Sequence, residues 1–174
     1  MDNNAILRSL RFALRLEDSD VAHLFSLGGW ALSLEDARAR MRREGEAGAV
    51  YCVDDALCAF LDGLILARRG PPPADRTPPP RVPLTNNEVL KKIRIALEMR
   101  EADVVTALAL ADMRLSKGEV RALFRNPGHA NHRRAGDQLV RRFLRGLTLK
   151  LRPGVEPREM QPDQRRARPR SNEA

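Results

Sequence analysis

The side chains in this chain that could do chemistry are few. His23, His129 and His132 are the only imidazoles among 174 residues, and Cys52 and Cys58 the only thiols. His129 and His132 flank Asn131 and invite a metal reading. Zinc sites usually gather four Cys, His or carboxylate ligands. Here no Cys lies nearby, and the positions 83 residues earlier hold Glu46 and Ala49. Cys52 and Cys58 are six apart with no second pair, the pattern of small buried residues rather than of a redox or nucleophilic centre. Gly28-Gly29 reads as a turn, not a phosphate-cradling loop. The expectation is no catalytic residue, no metal, no cofactor and no enzyme activity.

Arginine is the better lead. Over Asp137–Arg145, Val140, Phe143, Leu144 and, just beyond, Leu147 form an apolar stripe at helical spacing. Arg134, Arg141 and Arg145 are spaced by seven and four, so they share the opposite face if the helix reaches back to Arg134. Lys91 and Lys92 would extend that patch. A basic helix face is the electrostatic footprint of phosphate binding. With one Trp, one Tyr and five Phe, base stacking on aromatic rings is a poor match. The expected function is non-enzymatic binding of nucleic acid, DNA or RNA, through its phosphates. The alternative is a helical-repeat scaffold or adaptor that meets an acidic protein. A loose helix-turn-helix reading adds Arg38 and Arg42, or Arg121 and Arg125, as groove-facing residues. Its turn, about 28–32, is longer than the usual three or four residues.

What must position these residues is an internal duplication. Residues 1–70 overlay 84–153 at a constant offset of 83 without a gap, with 23 identities over positions 3–69. Self-similarity at one period implies one unit built twice. The expected organisation is module 1 over 1–70, a Pro-rich linker over 71–83, basic module 2 over 84–152, and a disordered basic tail over 153–174. A module of about 70 residues is near the lower limit for a stable core, so packing of one copy on the other is expected. Net charge divides unevenly: −2 for 1–70, +1 for 71–83, +8 for 84–152 and +1 for 153–174. Nearly all the excess lies in module 2, which points to an acidic partner for that half.

Within each copy the apolar spacing is helical, and no segment sustains strand alternation. The fold class is all-α, four helices per copy. Ile6, Leu7, Leu10, Ala13 and Leu14 match Val89, Leu90, Ile93, Ala96 and Leu97 in the first helix. The Asn pair before each stripe, Asn3-Asn4 and Asn86-Asn87, reads as an N-cap. The second helix is expected over about Asp20–Leu27 and Asp103–Ala111. The third opens with Ser33 or Ser116 in a Ser-x-x-acid capping box. The fourth begins near Asp54 or Asp137 and carries Phe60-Leu61-x-Gly63 or Phe143-Leu144-x-Gly146. Glycine inside a helix is unfavourable by ~1 kcal/mol relative to Ala, so its presence in both copies predicts a neighbouring helix too close for a methyl group. Arg11 with Asp20, and Arg94 with Asp103, read as ion pairs within a module in preference to the alternative, a shared ligand site.

The chain's opening lacks a basic region followed by an apolar run, and no apolar stretch approaches the ~20 residues of a membrane span. A cytoplasmic protein with no membrane partner is expected. The twice-used Asn-Asn-x-(Ile/Val)-Leu-(Arg/Lys)-x-(Leu/Ile)-Arg-x-Ala-Leu opening, with Asn126–Gln138 and Phe143-Leu144-Arg145-Gly146-Leu147 closing the second copy, resembles the YehS-like family of uncharacterised bacterial cytoplasmic proteins, in which a domain of unknown function occurs twice. The resemblance covers about residues 1–150. Asp62 departs from the closing pattern, where Asn is usual, and the linker and tail are peculiar to this member. The resemblance implies the duplicated fold and the compartment, and supplies no catalytic residues.

Overall fold

In a computed structural model, which describes residues 1–72 and 83–155, the chain forms eight helices and no strand among the described residues. Module 1 holds α1 (Asn3–Leu14), α2 (Asp18–Leu27), α3 (Leu34–Met41) and α4 (Asp54–Arg69). Module 2 holds α5 (Asn86–Ala96), α6 (Glu101–Leu110), α7 (Lys117–Leu123) and α8 (Asp137–Leu151). The Pro-rich linker and the tail fall largely outside the described residues.

The matching apolar stripes become one continuous core. Leu7, Leu10, Phe60 and Leu61 of module 1 and Leu90, Ile93, Phe143 and Leu144 of module 2 are all buried in it. In each module the second helix runs antiparallel to the fourth at very close range. A Cβ added to Gly63 would overlap the Leu24 carbonyl, and one added to Gly146 would overlap the Ala107 carbonyl. The two shared glycines therefore sit where backbone meets backbone, as their place in both copies implies. Phe25 of α2 stacks on Phe60 of α4, ring centres 5.3 Å apart.

The larger surprise lies between the copies. The main neighbour of α1 is α8 of the other module, and α5 lies chiefly on α4. Both pairs are parallel. The Met1 amine meets Asp137 at one end of the first seam, and Arg152 Nη1 donates to the Phe12 carbonyl (3.0 Å) at the other. In the second seam Lys92 pairs with Asp62, and Arg69 with Glu98 at 3.4 Å. Each module thus completes its core with the other's first helix.

Helix starts correct two expectations. The N-caps are Asp2, whose side chain accepts from the Ala5 amide, and Thr85, which accepts from the Glu88 amide. The Asn pairs stand one and two places inside the helix and reach sideways. Asn4 Nδ2 donates to the Arg40 and Val50 carbonyls (2.7 and 2.8 Å), and its Oδ1 accepts from the Cys52 amide (2.9 Å). Asn87 repeats this with Leu123, Arg133 and Ala135 at 2.7, 2.8 and 2.9 Å. Asn3 and Asn86 hold the first carboxylate of α4 and α8, Asp54 and Asp137. An amide side chain with two donors and an acceptor can pin an extended segment that has no helix or sheet to satisfy it.

The second helices begin two residues earlier than their Asp-Val signature suggests. Asp20 and Asp103 are third-position caps, accepting from the Glu17 and Arg100 amides at 2.8 and 2.9 Å. Arg11 accordingly pairs with Asp18 (2.8 Å), not Asp20, and Arg94 does not pair with Asp103. The capping boxes at Ser33 and Ser116 form as expected, each hydroxyl accepting from the amide three residues on, Asp36 or Glu119.

Candidate polyanion-binding site

The five basic residues singled out in the sequence separate in space. Helix α8 starts at Asp137, so Arg134 is not on it. Arg134 lies in the extended segment that Asn87 pins at Arg133 and Ala135, with its side chain exposed. Arg141 is exposed on α8, one turn after Asp137. Arg145, a turn further, is half-buried, and its Nε is shut off from solvent without a hydrogen-bond partner. Lys92 points across the second seam and is committed to Asp62. Lys91 pairs with Glu88 on its own helix at 3.3 Å. The structure brings Arg141 and Arg145 together on one helix with Arg134 just ahead of it, and removes Lys92 from the set.

The helix-turn-helix arginines are also engaged. Arg38 pairs with Asp18 at 2.9 Å, Arg42 with Glu35 at 2.7 Å, and Arg121 holds both oxygens of Glu101. They tie each third helix to its own module. Elsewhere in module 2, Arg133 pairs with Glu119 at 2.9 Å and Lys150 with Asp103 at 2.6 Å. With that of Arg121, these pairs occupy three of the module's own seven carboxylates and so leave its positive excess unanswered. On α8, Arg142 pairs with Asp112 at 4.0 Å, whereas Arg141 and Arg145 form no ion pair among the described residues.

The repeat explains why. Position 62 of α4 corresponds to 145 of α8, and position 92 of α5 to 9 of α1. In the α4–α5 seam this pair is Asp62 with Lys92, and in the α1–α8 seam it is Arg145 with Ser9. Ser9 gives its hydroxyl to the Ala5 carbonyl (2.7 Å), so Arg145 is left without a partner among the described residues. Further along, Arg69 meets Glu98, whereas Arg152 finds Arg15 at the equivalent place and turns instead over the Phe12 ring, 4.0 Å from its centre. At these two places one seam is ion-paired and its twin has arginines without a carboxylate, its ion pair being that of the Met1 amine with Asp137. Overlaying the repeats displays each exchange, but which helix faces which is not readable from them.

The other reactive groups have structural settings. Burial raises the Cys52 thiol to about 11, and burial also raises Cys58, half-exposed beside Asp62 and Lys92. His132 Nδ1 hydrogen-bonds the Arg125 carbonyl at 3.0 Å, and His129 Nδ1 accepts from the Asn131 amide at 3.0 Å. Among the described residues no three His, Cys, Asp or Glu side chains gather around a possible metal position. None of the described helices is long and apolar enough to cross a membrane.

Comparison with known proteins agrees with this duplicated architecture. A family model described as "Protein of unknown function (DUF1456)" matches twice, over residues 3–70 and 86–153. The chain is 37% identical over 150 residues to the "Uncharacterized protein YehS" of Escherichia coli (strain K12), covering 86% of this chain and 96% of that protein. No solved structure matches. Two matched copies, spanning both helical modules, place the chain in the DUF1456 family of proteins of unknown function.

Proposed function

We propose that the protein is a non-enzymatic, cytoplasmic binding protein that engages nucleic acid through its phosphates, using Arg134, Arg141 and Arg145 of module 2. The observation that supports this reading is the contrast between the two seams: the repeat puts Asp62 against Lys92 in one, and an arginine with no counter-ion in the other. A half-buried guanidinium without a carboxylate is an unmet demand for an anion. Exposed Arg141 on the same helix and exposed Arg134 just before it add further positive charge, which suits a charged polymer.

Fluorescence anisotropy of a duplex DNA and a duplex RNA at ~150 mM salt tests this. The triple reversal of Arg134, Arg141 and Arg145 to Glu is expected to weaken binding at least tenfold. It should also flatten the log-log salt slope by about 3, near one per lost phosphate contact. Absence of binding up to tens of micromolar retires the proposal. A second reading, an acidic protein partner, is favoured by exposed Val50, Tyr51 and Val53. They occupy in module 1 the places of Arg133, Arg134 and Gly136, on an equally pinned segment.

A further inference from the structure

An open recess at the start of α6 is lined by Arg94, Met99, Arg100, Glu101, Ala102 and Lys117. In module 1 the charges at the matching place are mutually satisfied. Arg11 Nη2 meets Asp18 at 2.8 Å, and Arg38 Nε reaches the other oxygen of the same carboxylate at 2.9 Å. In module 2 the acid is one methylene longer. Arg121 takes both oxygens of Glu101, Nε to Oε1 at 3.0 Å and Nη2 to Oε2 at 2.9 Å.

Arg94 is left over. Its Nε donates to the Met99 carbonyl at 3.0 Å, and its guanidinium lies over the Phe124 ring, 4.7 Å from the centre. Its two terminal amino groups have no hydrogen-bond partner among the described residues. Arg100 and Lys117 stand where module 1 has Glu17 and Leu34, and neither forms an ion pair there. Four cations, Arg94, Arg100, Lys117 and Arg121, thus surround Glu101, whereas in module 1 Arg11 and Arg38 face Glu17 and Asp18. The remaining carboxylate close by, Asp103, is held by Lys150 at 2.6 Å and has a counterpart in Asp20.

We propose that this recess binds a phosphate group, with Arg94 as a fixed fork and Arg100 and Lys117 as flanking charges. A guanidinium already held by stacking and by one hydrogen bond loses little further freedom when its outer edge takes two oxygens. Arg121 shields the ligand from Glu101 by occupying both of its oxygens. The excess of positive charge suits a phosphate dianion better than a singly charged carboxylate. The site uses none of the α8 arginines and stands whether or not they bind nucleic acid. The phosphate could come free, as a small phosphomonoester, or from a nucleic-acid strand.

Titration of inorganic phosphate into isotope-labelled full-length protein, at ionic strength balanced with chloride, tests it. The amide signals of residues 100–103 are expected to shift saturably, with a Kd on the order of millimolar. The double variant R100E/K117L installs module 1's own residues and should weaken the affinity at least tenfold with an unchanged thermal midpoint. R94K keeps the charge, loses the fork and should also bind more weakly. Non-saturable shifts, or an R100E/K117L variant that binds like the parent, overturn the proposal. So does loss of the phosphate shifts in R134E/R141E, which would place the anion on α8. The source is assigned by competition with an oligonucleotide carrying a 5′-phosphate and the same strand with a 5′-hydroxyl. Displacement by the first alone indicates a strand end, by both a backbone phosphate, and by neither a free phosphate or small phosphomonoester.

Discussion

Lys92 of the second module reaches across to Asp62 of the first, and the residues that the repeat puts in their places, Ser9 and Arg145, make no such bond. Two surfaces that share one sequence pattern differ in electrostatic character, one ion-paired and one with an unpaired arginine, while retaining the same helix pairing. This single exchange separates an ion-paired joint from one whose arginine has no carboxylate opposite.

Replacing Asp62 by Arg transplants the second seam's residue into the first and sets two cations against each other. Urea denaturation should show a loss of about 1–2 kcal/mol, since partly exposed charges are screened. The D62R/K92S double variant rebuilds the pairing of the α1–α8 seam and should recover most of that loss, giving a coupling the single variants lack. Equal stability of D62R and D62R/K92S would show that the two positions do not sense each other.

Gly63→Ala and Gly146→Ala should each destabilise by about 2–4 kcal/mol, because the added carbon overlaps a backbone carbonyl that cannot retreat. An ordinary exposed helix position would gain up to ~1 kcal/mol from the same change. A rise in thermal midpoint for either variant contradicts the close approach of the second and fourth helices.

Asn4→Ala or Asn87→Ala strands one carbonyl at the end of the third helix and a carbonyl and an amide on the extended segment before the fourth. The expected loss is about 2–3 kcal/mol for each. Hydrogen exchange should quicken at the amide of Cys52 in the first variant and of Ala135 in the second. Protection unchanged at those amides would make the Asn pair dispensable.

Acid should loosen the third helices and the start of α8 before the core. Asp18 is held low chiefly by its hydrogen bond from Arg38, Glu101 by that from Arg121, and Asp137 by that from the Met1 amine. A carboxyl whose folded pKa lies below its unfolded one stabilises above the unfolded value, and that contribution fades as pH falls through the folded one. Stability should therefore be flat near neutrality and decline below about pH 4. D18N should show a shallower decline, and an identical acid slope would remove Asp18 from the account.

Alkylation at pH 8 provides an independent check on the thiols. With Cys52 raised to about 11 and buried, and Cys58 raised as well, both should react more slowly than a free thiol, and Cys52 only once the protein unfolds. Rapid labelling of Cys52 in the native protein would contradict its burial.

Much of this architecture is legible in the residues. The constant offset, the 3–4 apolar spacing and the Ser capping boxes determine eight helices, because those signals are local or simply repeated. The Asn pairs mislead, since an amide ahead of an apolar stripe looks like a cap until a distant loop is seen to need its donors. Asp20 and Asp103 mislead similarly, as a third-position cap resembles a helix start. The candidate site is only partly readable. Arg141 and Arg145 follow from helical spacing, but whether a cation is free depends on who stands opposite. Lys92 meets its acid on another module, and Arg121 meets Glu101 across twenty residues of chain.

The exchange of first helices also constrains how the molecule is made. Helix α1 finds its main packing partner in α8, more than 120 positions downstream. Until α8 is made, α1 has only its smaller contacts with α3 and α4, and the face that packs on α8 stays uncovered. Contacts of such long sequence separation slow folding and make it cooperative. A chain truncated before residue 137 should therefore be cleared as unfinished protein rather than persist as half a molecule.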